Sequence, residues 1–158
     1  MNERKAAREL LARWASTGAY CAERELDIDT LGALIDGLYA DYPASDPSSG
    51  IPHSKNPGDP TGRLAASLGD VHARYVDSVC RLRELIADRL VLYNAIDALI
   101  VSLPDRQRAV LDLRYRRGKS WEYIANHLHM SGRSVQRLET LAVSKLAQQI
   151  RCTGYLSS

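Results

Sequence analysis

The sequence of 158 residues contains no phenylalanine and only three cysteines. Cys21, Cys80 and Cys152 are far apart and form no Cys-x-x-Cys pair, which argues against a zinc finger and a disulfide framework. We interpret them as small apolar fillers in a reducing compartment. His127 and His129 lie two residues apart, a spacing that points them to different faces of a helix, so we expect no metal site.

Long apolar runs are also absent, and the longest falls far short of a membrane span. The N-terminus leads into an Ala/Leu/Arg segment of helical type rather than a signal-peptide core, so we expect a cytoplasmic protein without a membrane segment. The sequence shows no Gly-rich phosphate loop, no paired carboxylates in a plausible pocket and no supported Cys/His or Ser/His pair. It therefore predicts neither an enzyme nor a cofactor.

Proline is nearly confined to one segment, since five of the six prolines and three glycines lie within residues 43–62. Proline removes a backbone donor and restricts the residue before it, so we interpret this segment as a linker or an exposed irregular loop. It follows an N-terminal helical segment, residues 1–42. Apolar residues recur there at helical spacing over 3–17 and 29–42, with Asp29 or Thr30 as the expected N-cap of the second helix.

Residues 63–102 predict one long, coiled-coil-like helix, on the order of 60 Å at about 1.5 Å per residue. Its apolar residues alternate in steps of three and four from Leu64 to Ile86 and continue, with a slip in phase, to Ile100. Such a narrow seam needs a partner helix, either the N-terminal pair of the same chain or a second copy. A second copy would make the protein a homo-oligomer, a dimer or a tetramer.

Charge is distributed unevenly along the chain. Residues 1–45 carry 5 basic and 8 acidic side chains, a net charge of −3, and residues 46–103 carry 6 and 7, a net charge of −1. Residues 104–158 carry 10 and 4, a net charge of +6. A polyanion would be drawn to this last part of the chain.

The pattern of this basic part predicts three helices, of residues 105–116, 121–128 and 132–150. They form a helix-turn-helix domain of residues 103–151, which a tail of residues 152–158 follows. Pro104 opens the first helix, and Gly118 is placed for a left-handed cap at its end. Ser120 and Ser131 are expected N-caps of the second and third helices. The fold class is therefore all-α, with N-terminal helices and one long helix before a C-terminal helix-turn-helix.

The third of these helices separates its residues by angle. An apolar stripe (Val135, Leu138, Ala142, Leu146 and Ile150) is expected to pack on Val110, Ile124 and Leu128. The opposite face predicts base contacts in a DNA major groove, since Arg can bind guanine and Gln can bind adenine, by Arg133, Gln136, Arg137 and Thr140. Phosphate contacts are predicted for nearby basic and hydroxyl side chains: Arg114, Arg116, Arg117, Lys119, Ser131, Ser134 and Ser144.

The stretch LPDRQRAVLDLRYRRGKSWEYIANHLHMSGRSVQRLETLAVSKL resembles sigma-70 region 4 in the order of its residues. The shared pattern is a Leu-Pro opening, a Val-Leu-x-Leu-Arg-Tyr helix, a Gly turn, an aromatic-x-x-Ile-Ala helix and a basic helix ending Ala-x-x-Lys-Leu. His129 departs from the pattern, because the family usually has Gly there. His tolerates positive φ better than most residues, so we expect the turn to survive.

Residues 49–53 (SGIPH), 59–62 (DPTG) and 118–122 (GKSWE), with the long helix, resemble the phage RinA/ArpU-type transcriptional regulators. That resemblance implies a sequence-specific double-stranded DNA-binding regulator, an activator of phage or prophage late genes in a bacterial host. Two alternatives stay open: a sigma-like factor that binds RNA polymerase, and a phage DNA-packaging component that uses the helix-turn-helix to hold DNA.

Overall fold

The computed structural model describes residues 3–40 and 60–153, and every regular element within them is helical. The elements are α1 (Glu3–Ala15), α2 (Thr17–Ala40), α3 (Pro60–Val101), α4 (Asp105–Leu111) continued by a π-helical turn (Asp112–Arg116), α5 (Trp121–His127) and α6 (Gly132–Thr153). The predicted all-α class, with a long helix before a helix-turn-helix, is confirmed. None of the described helices combines the length and the apolar character that crossing a membrane requires.

Helix α2 begins at Thr17, twelve residues before the start expected from the sequence. The prediction of an N-cap at Asp29 or Thr30 is wrong, because both residues lie inside this helix. The Thr30 hydroxyl donates a hydrogen bond to the Leu26 carbonyl oxygen at 2.8 Å, as hydroxyls do in helix interiors. The predicted end of this helix at residues 41–42 lies outside the described residues.

Helix α3 spans 42 residues without a break. It starts at Pro60, so the prediction of an irregular segment up to residue 62 is wrong for its last three residues. Proline fits the first turn of a helix, where the missing N–H has no intrahelical partner anyway. The rest of that predicted linker, residues 43–59, lies outside the described part of the chain.

The chain forms two compact units, one of residues 1–20 with 88–158 and the other of residues 21–87. In the second unit, α2 and α3 lie side by side: the Tyr39 hydroxyl and His72 Nδ1 are 3.1 Å apart, and Gly32 faces the Tyr75 hydroxyl. The seam of α3 is thus partnered, over this unit, within the same chain. Among the described residues of this unit, only Ile35 and Val79 are buried, each with 8% of its surface exposed.

The first unit contains two apolar clusters rather than the single packed stripe expected along α6. The first half of that stripe belongs to the helix-turn-helix cluster of Val110, Leu113, Ile124, Ala125 and Val135, against which Leu128 and Leu138 pack. The second half, from Ala142 to Ile150, packs instead with α1 and the end of α3. The expected contact of this second half with Ile124 and Leu128 is wrong, because a helix of 22 residues extends beyond so small a motif.

The three cysteines are free; Cys21 is half-buried, whereas Cys80 and Cys152 are exposed. The prediction of apolar fillers is therefore wrong for the latter two, which lie on outward faces of α3 and α6. In the described part of the chain, no cluster of three or more His, Cys, Asp or Glu side chains could hold a metal ion.

Candidate nucleic-acid interface

The turn between the π-helical segment and α5 depends on Gly118. Its φ is +61°, the left-handed region that glycine adopts without steric cost, as the sequence predicts. The amide of Lys119 then donates to the Leu113 carbonyl oxygen at 2.9 Å, closing the end of the helix. Ser120 caps α5 as predicted, its hydroxyl oxygen accepting from the Tyr123 amide at 3.2 Å.

The turn between α5 and α6 is closed by His129, whose φ of +52° makes it the one non-glycine residue with positive φ in the described chain. The Met130 amide donates to the Ala125 carbonyl oxygen at 2.9 Å, and the His129 amide donates to that of Asn126 at 3.3 Å. This pair of hydrogen bonds forms a Schellman motif. The turn therefore survives without the glycine that the resemblance leads one to expect.

The first turn of α6 is held by two serines. The Ser131 hydroxyl oxygen accepts from the Ser134 amide at 3.2 Å and lies 2.8 Å from the Ser134 hydroxyl. Ser131 is thus an N-cap, as predicted. Both hydroxyls lie at the end of α6 where the free amides and the helix dipole favour an anion such as a phosphate.

Three of the four side chains predicted to contact bases share an exposed face of α6: Arg133, Gln136 and Arg137. Val135 on the opposite side is fully buried, so this face is fixed outward. Thr140 is only half-exposed, and its hydroxyl donates to the Gln136 carbonyl oxygen at 2.9 Å. With its proton used in this bond, Thr140 can accept a hydrogen bond from a base but not readily donate one.

Ser144, predicted to contact a phosphate, is in the same situation. Its hydroxyl donates to the Thr140 carbonyl oxygen at 2.8 Å. Phosphate oxygens are acceptors, so the Ser144 hydroxyl would have to turn away from the helix backbone before it could contact one.

Arg114 and Lys119 lie together at the start of α5. Arg114 donates to the Lys119 carbonyl oxygen at 3.0 Å, and its guanidinium carbon is 4.5 Å from the centre of the Trp121 ring. The Lys119 ammonium is 5.0 Å from the centre of the exposed Tyr123 ring, which stacks on His127. Arg114 therefore stabilises the turn before α5 through its contacts with Lys119 and Trp121. The Lys119 ammonium lies beside α5, next to Tyr123.

Arg116 points away from that group. It donates to the Tyr93 hydroxyl at 2.7 Å, and its guanidinium carbon lies 5.1 Å from the centre of the Trp14 ring. Residues two apart on a helix face different directions, which explains why Arg114 and Arg116 separate.

Arg117 is exposed and pairs with the Asp112 carboxylate at 2.9 Å. The structure thus brings together Arg114 and Lys119 but not all four of the basic side chains predicted to contact phosphates.

Sequence reasoning missed Glu139, the one acidic residue of α6. It is buried, its Oε1 accepts from the Tyr115 hydroxyl at 2.9 Å, and Arg8 of α1 reaches both of its oxygens. Burial and the bond to Glu139 raise the pKa of Tyr115 to about 12, and the same carboxylate raises the pKa of Arg8. A lone carboxylate in a basic helix was the available signal, but nothing in the sequence indicated its partner.

Residues 99–148, about a third of the chain, match the family model described as Sigma-70, region 4. No curated protein and no solved structure matches the chain significantly. The match begins in the last turn of α3 and ends within α6, so it includes both turns and the exposed face described above. The resemblance to sigma-70 region 4 is confirmed for this part of the chain, whereas no finding supports the RinA/ArpU family.

Proposed function

From the sigma-70 region 4 domain of residues 99–148, we propose that the protein is a sequence-specific double-stranded DNA-binding transcription regulator. Domains of this kind are non-catalytic helix-turn-helix modules, and the module suggests DNA binding. The observation that carries the finer proposal is the exposed face of Arg133, Gln136 and Arg137 in the first turns of α6. Such side chains at the start of the second helix of the motif are placed to contact base edges in the major groove.

The helix is also fixed well enough to carry such contacts. Val135 is fully buried behind the exposed face, and the serine cap and the Schellman turn fix the entry into α6. Lys119 adds a positive charge beside α5, and the basic part of the chain, residues 104–158, attracts the phosphate backbone at any sequence. Base contacts then supply the preference among sequences.

The resemblance of residues 49–53 and 59–62 to RinA/ArpU-type regulators supports a still finer proposal. On it, the protein activates late genes of a phage or prophage and acts in the cytoplasm of the bacterial host. Residues 49–59 lie outside the described part of the chain, so this step depends on the sequence pattern alone.

The test is recovery of bound fragments from a random DNA pool by the full-length protein. A single enriched sequence is expected, and a pool without enrichment would contradict sequence-specific binding. Recovery of RNA polymerase by a protein that binds no DNA on its own would instead favour the sigma-like alternative.

Variants then separate base contacts from phosphate contacts on the enriched site. Arg133→Ala and Arg137→Ala should each weaken binding by ~1–3 kcal/mol and broaden the base preference, whereas Lys119→Ala should weaken binding at every sequence and reduce the salt slope by about 1. Arg106→Ala, an equal charge change at an exposed residue of α4, is the control. Equal and sequence-independent losses for all four variants would contradict the assignment of base contacts.

The exposed apolar surface of the second unit supports the proposal that the protein is a homo-oligomer. The two described helices of this unit leave large apolar side chains exposed, with Leu26 at 65%, Leu34 at 62% and Val76 at 45%. A two-helix pair buries too little apolar surface to be stable alone, so a second copy that packs against this surface completes a core. We expect analytical ultracentrifugation to show a dimer or tetramer, and we expect Leu34→Glu to shift it toward the monomer. Val101→Glu, which changes an exposed residue of the first unit, should leave the oligomer intact. A monomeric parent protein would contradict this proposal.

A further inference from the structure

Helix α6 is held from behind by a helix that lies far away in the sequence. Arg8 of α1 donates from Nε to Glu139 Oε1 at 3.1 Å and from Nη2 to Glu139 Oε2 at 3.2 Å. The Tyr115 hydroxyl donates to Oε1 at 2.9 Å. Two parallel bonds from a planar guanidinium fix both the position and the orientation of a carboxylate. Because the Glu139 side chain is only 6% exposed, it has little freedom to move apart from its helix.

Apolar packing reinforces this contact. Leu11 and Trp14 of α1 are at most 2% exposed and belong to the same cluster as Val143, Leu146 and Ile150 of α6. Helix α1 lies entirely outside residues 99–148, the part that matches the sigma-70 region 4 model. The matched module therefore does not include the helix that covers the back of α6 in this chain.

The position of Glu139 connects α1 with the exposed face of α6. It lies three residues after Gln136 and two after Arg137, on the same rigid stretch of helix. At a radius of about 5–6 Å, a rotation of α6 by about 10° moves a side-chain tip by roughly 1 Å. Contacts with a defined partner require placement to within about 0.5 Å, so a small rotation would spoil them.

We propose that α1 is a working part of the DNA-binding unit and that Arg8 is a positioning residue, which acts through Glu139 to set the rotation of α6. This inference depends on the proposed function, because it concerns the same α6 face. Arg8 itself is not assigned a contact with DNA. It determines how well Arg133, Gln136 and Arg137 meet the bases, and hence the preference for one sequence over another.

The test compares Arg8→Met with Arg13→Met in the full-length chain. Both variants remove one positive charge from α1, but Arg13 is exposed and, within residues 3–40 and 60–153, its side chain forms no hydrogen bond or ion pair. Fluorescence anisotropy would give the affinity for the enriched site and for a scrambled duplex, at a temperature where circular dichroism shows each variant folded. Arg8→Met should reduce the ratio of the two affinities by about fivefold to tenfold, and Arg13→Met should leave it unchanged.

A purely stabilising role for α1 would give a different result, since folded Arg8→Met would then keep the parent's ratio. An equal loss on both duplexes would indicate a general charge effect, and either outcome would overturn the proposal. Glu139→Gln provides a further check: in that background, Arg8→Met should cause little additional loss of preference, because the partner through which Arg8 acts is already changed. A full additional loss would also overturn it.

A measurement without DNA separates this inference from the proposed function. In amide NMR spectra of the free protein, Arg8→Met should shift the signals of Gln136 and Arg137 more than Arg13→Met does. Unchanged signals in a folded variant would overturn the positioning role. If these signals shift while the parent protein prefers no DNA sequence, the proposed function fails and the positioning of α6 by Arg8 stands. If Arg8→Met does not fold, Tyr115→Phe, which removes one hydrogen bond to Glu139, should give a smaller shift at the same amides.

Discussion

Replacing Leu11 by alanine tests whether α1 is part of the core behind α6. Leu11 is 1% exposed and lies in one apolar cluster with Leu111, Leu146 and Ile150. The change removes three carbon atoms, each with a transfer free energy of about 0.8 kcal/mol, or about 2.4 kcal/mol in all. The cavity left behind adds to this, so we expect a loss of about 3 kcal/mol, within the range of roughly 2–5 kcal/mol for buried leucines.

The assay is urea denaturation followed by tryptophan fluorescence. The two tryptophans of the sequence, Trp14 and Trp121, both lie in the first unit, one in each of its apolar clusters. The signal therefore reports the unfolding of this unit and not that of residues 21–87. With an m-value of about 1–3 kcal/mol/M in urea, a loss of about 3 kcal/mol corresponds to a decrease of roughly 1–3 M in the urea midpoint.

Val101→Ala is the matched control, because Val101 is 58% exposed in the same unit. Its effect should stay within about 0.5 kcal/mol, as is usual for surface substitutions. If Leu11→Ala cost no more than this control, α1 would not be packed on the helix-turn-helix. The inference that Arg8 positions α6 would then lose its structural basis.

Two other predictions concern turn geometry and alkaline stability. Residues 118 and 129 both have positive φ, which only glycine adopts without cost. In urea denaturation, His129→Gly should therefore stabilise the protein by about 0.5 kcal/mol, and Gly118→Ala should destabilise it by ~1 kcal/mol. A loss of stability in both variants would contradict this prediction. Folding favours the neutral Tyr115 hydroxyl and raises its pKa from 10.0 to about 12. This preference stabilises the folded state fully below pH 10, and the stabilisation is lost as the pH rises from 10 through 12. Solvent screens this half-exposed group in part. Between pH 9 and pH 11.5, the free energy of unfolding of the parent should therefore fall by on the order of 1 kcal/mol more than that of Tyr115→Phe, and equal decreases would refute the pKa shift.

The local features of the helix-turn-helix could be predicted because each depends on a few neighbouring residues. Gly118, Ser120 and Ser131 perform the backbone roles that their side chains favour, and even the departure at His129 keeps the expected turn. The outward direction of Arg133 and Arg137 likewise follows from helical periodicity once α6 begins at the expected residue. These signals are short-range, and no tertiary contact was needed to interpret them.

Predictions that depended on distant partners succeeded less well. The early start of α2 was missed because residues 17–28 lack a clear apolar stripe, although their composition permits a helix. The contacts of Arg116 with Trp14 and Tyr93 could not be predicted, because both aromatic residues lie far away in the sequence; its predicted phosphate contact stays a prediction. A basic residue next to a helix-turn-helix suggests a phosphate contact. Only the fold shows that the Arg116 guanidinium contacts Trp14 and Tyr93.

Glu139 shows how such a distant contact changes the interpretation of the whole module. In the sequence it is one negative charge on a basic helix, and repulsion from phosphates would make it a liability at a DNA surface. In the structure it is buried away from the exposed face of Arg133, Gln136 and Arg137, and it pairs with Arg8, which lies 131 residues earlier in the chain. The charge that would oppose DNA binding is thus used to attach α6 to α1. A unit defined by residues 99–148 alone would leave this carboxylate without its guanidinium partner, which is why we include α1 in the proposed DNA-binding unit.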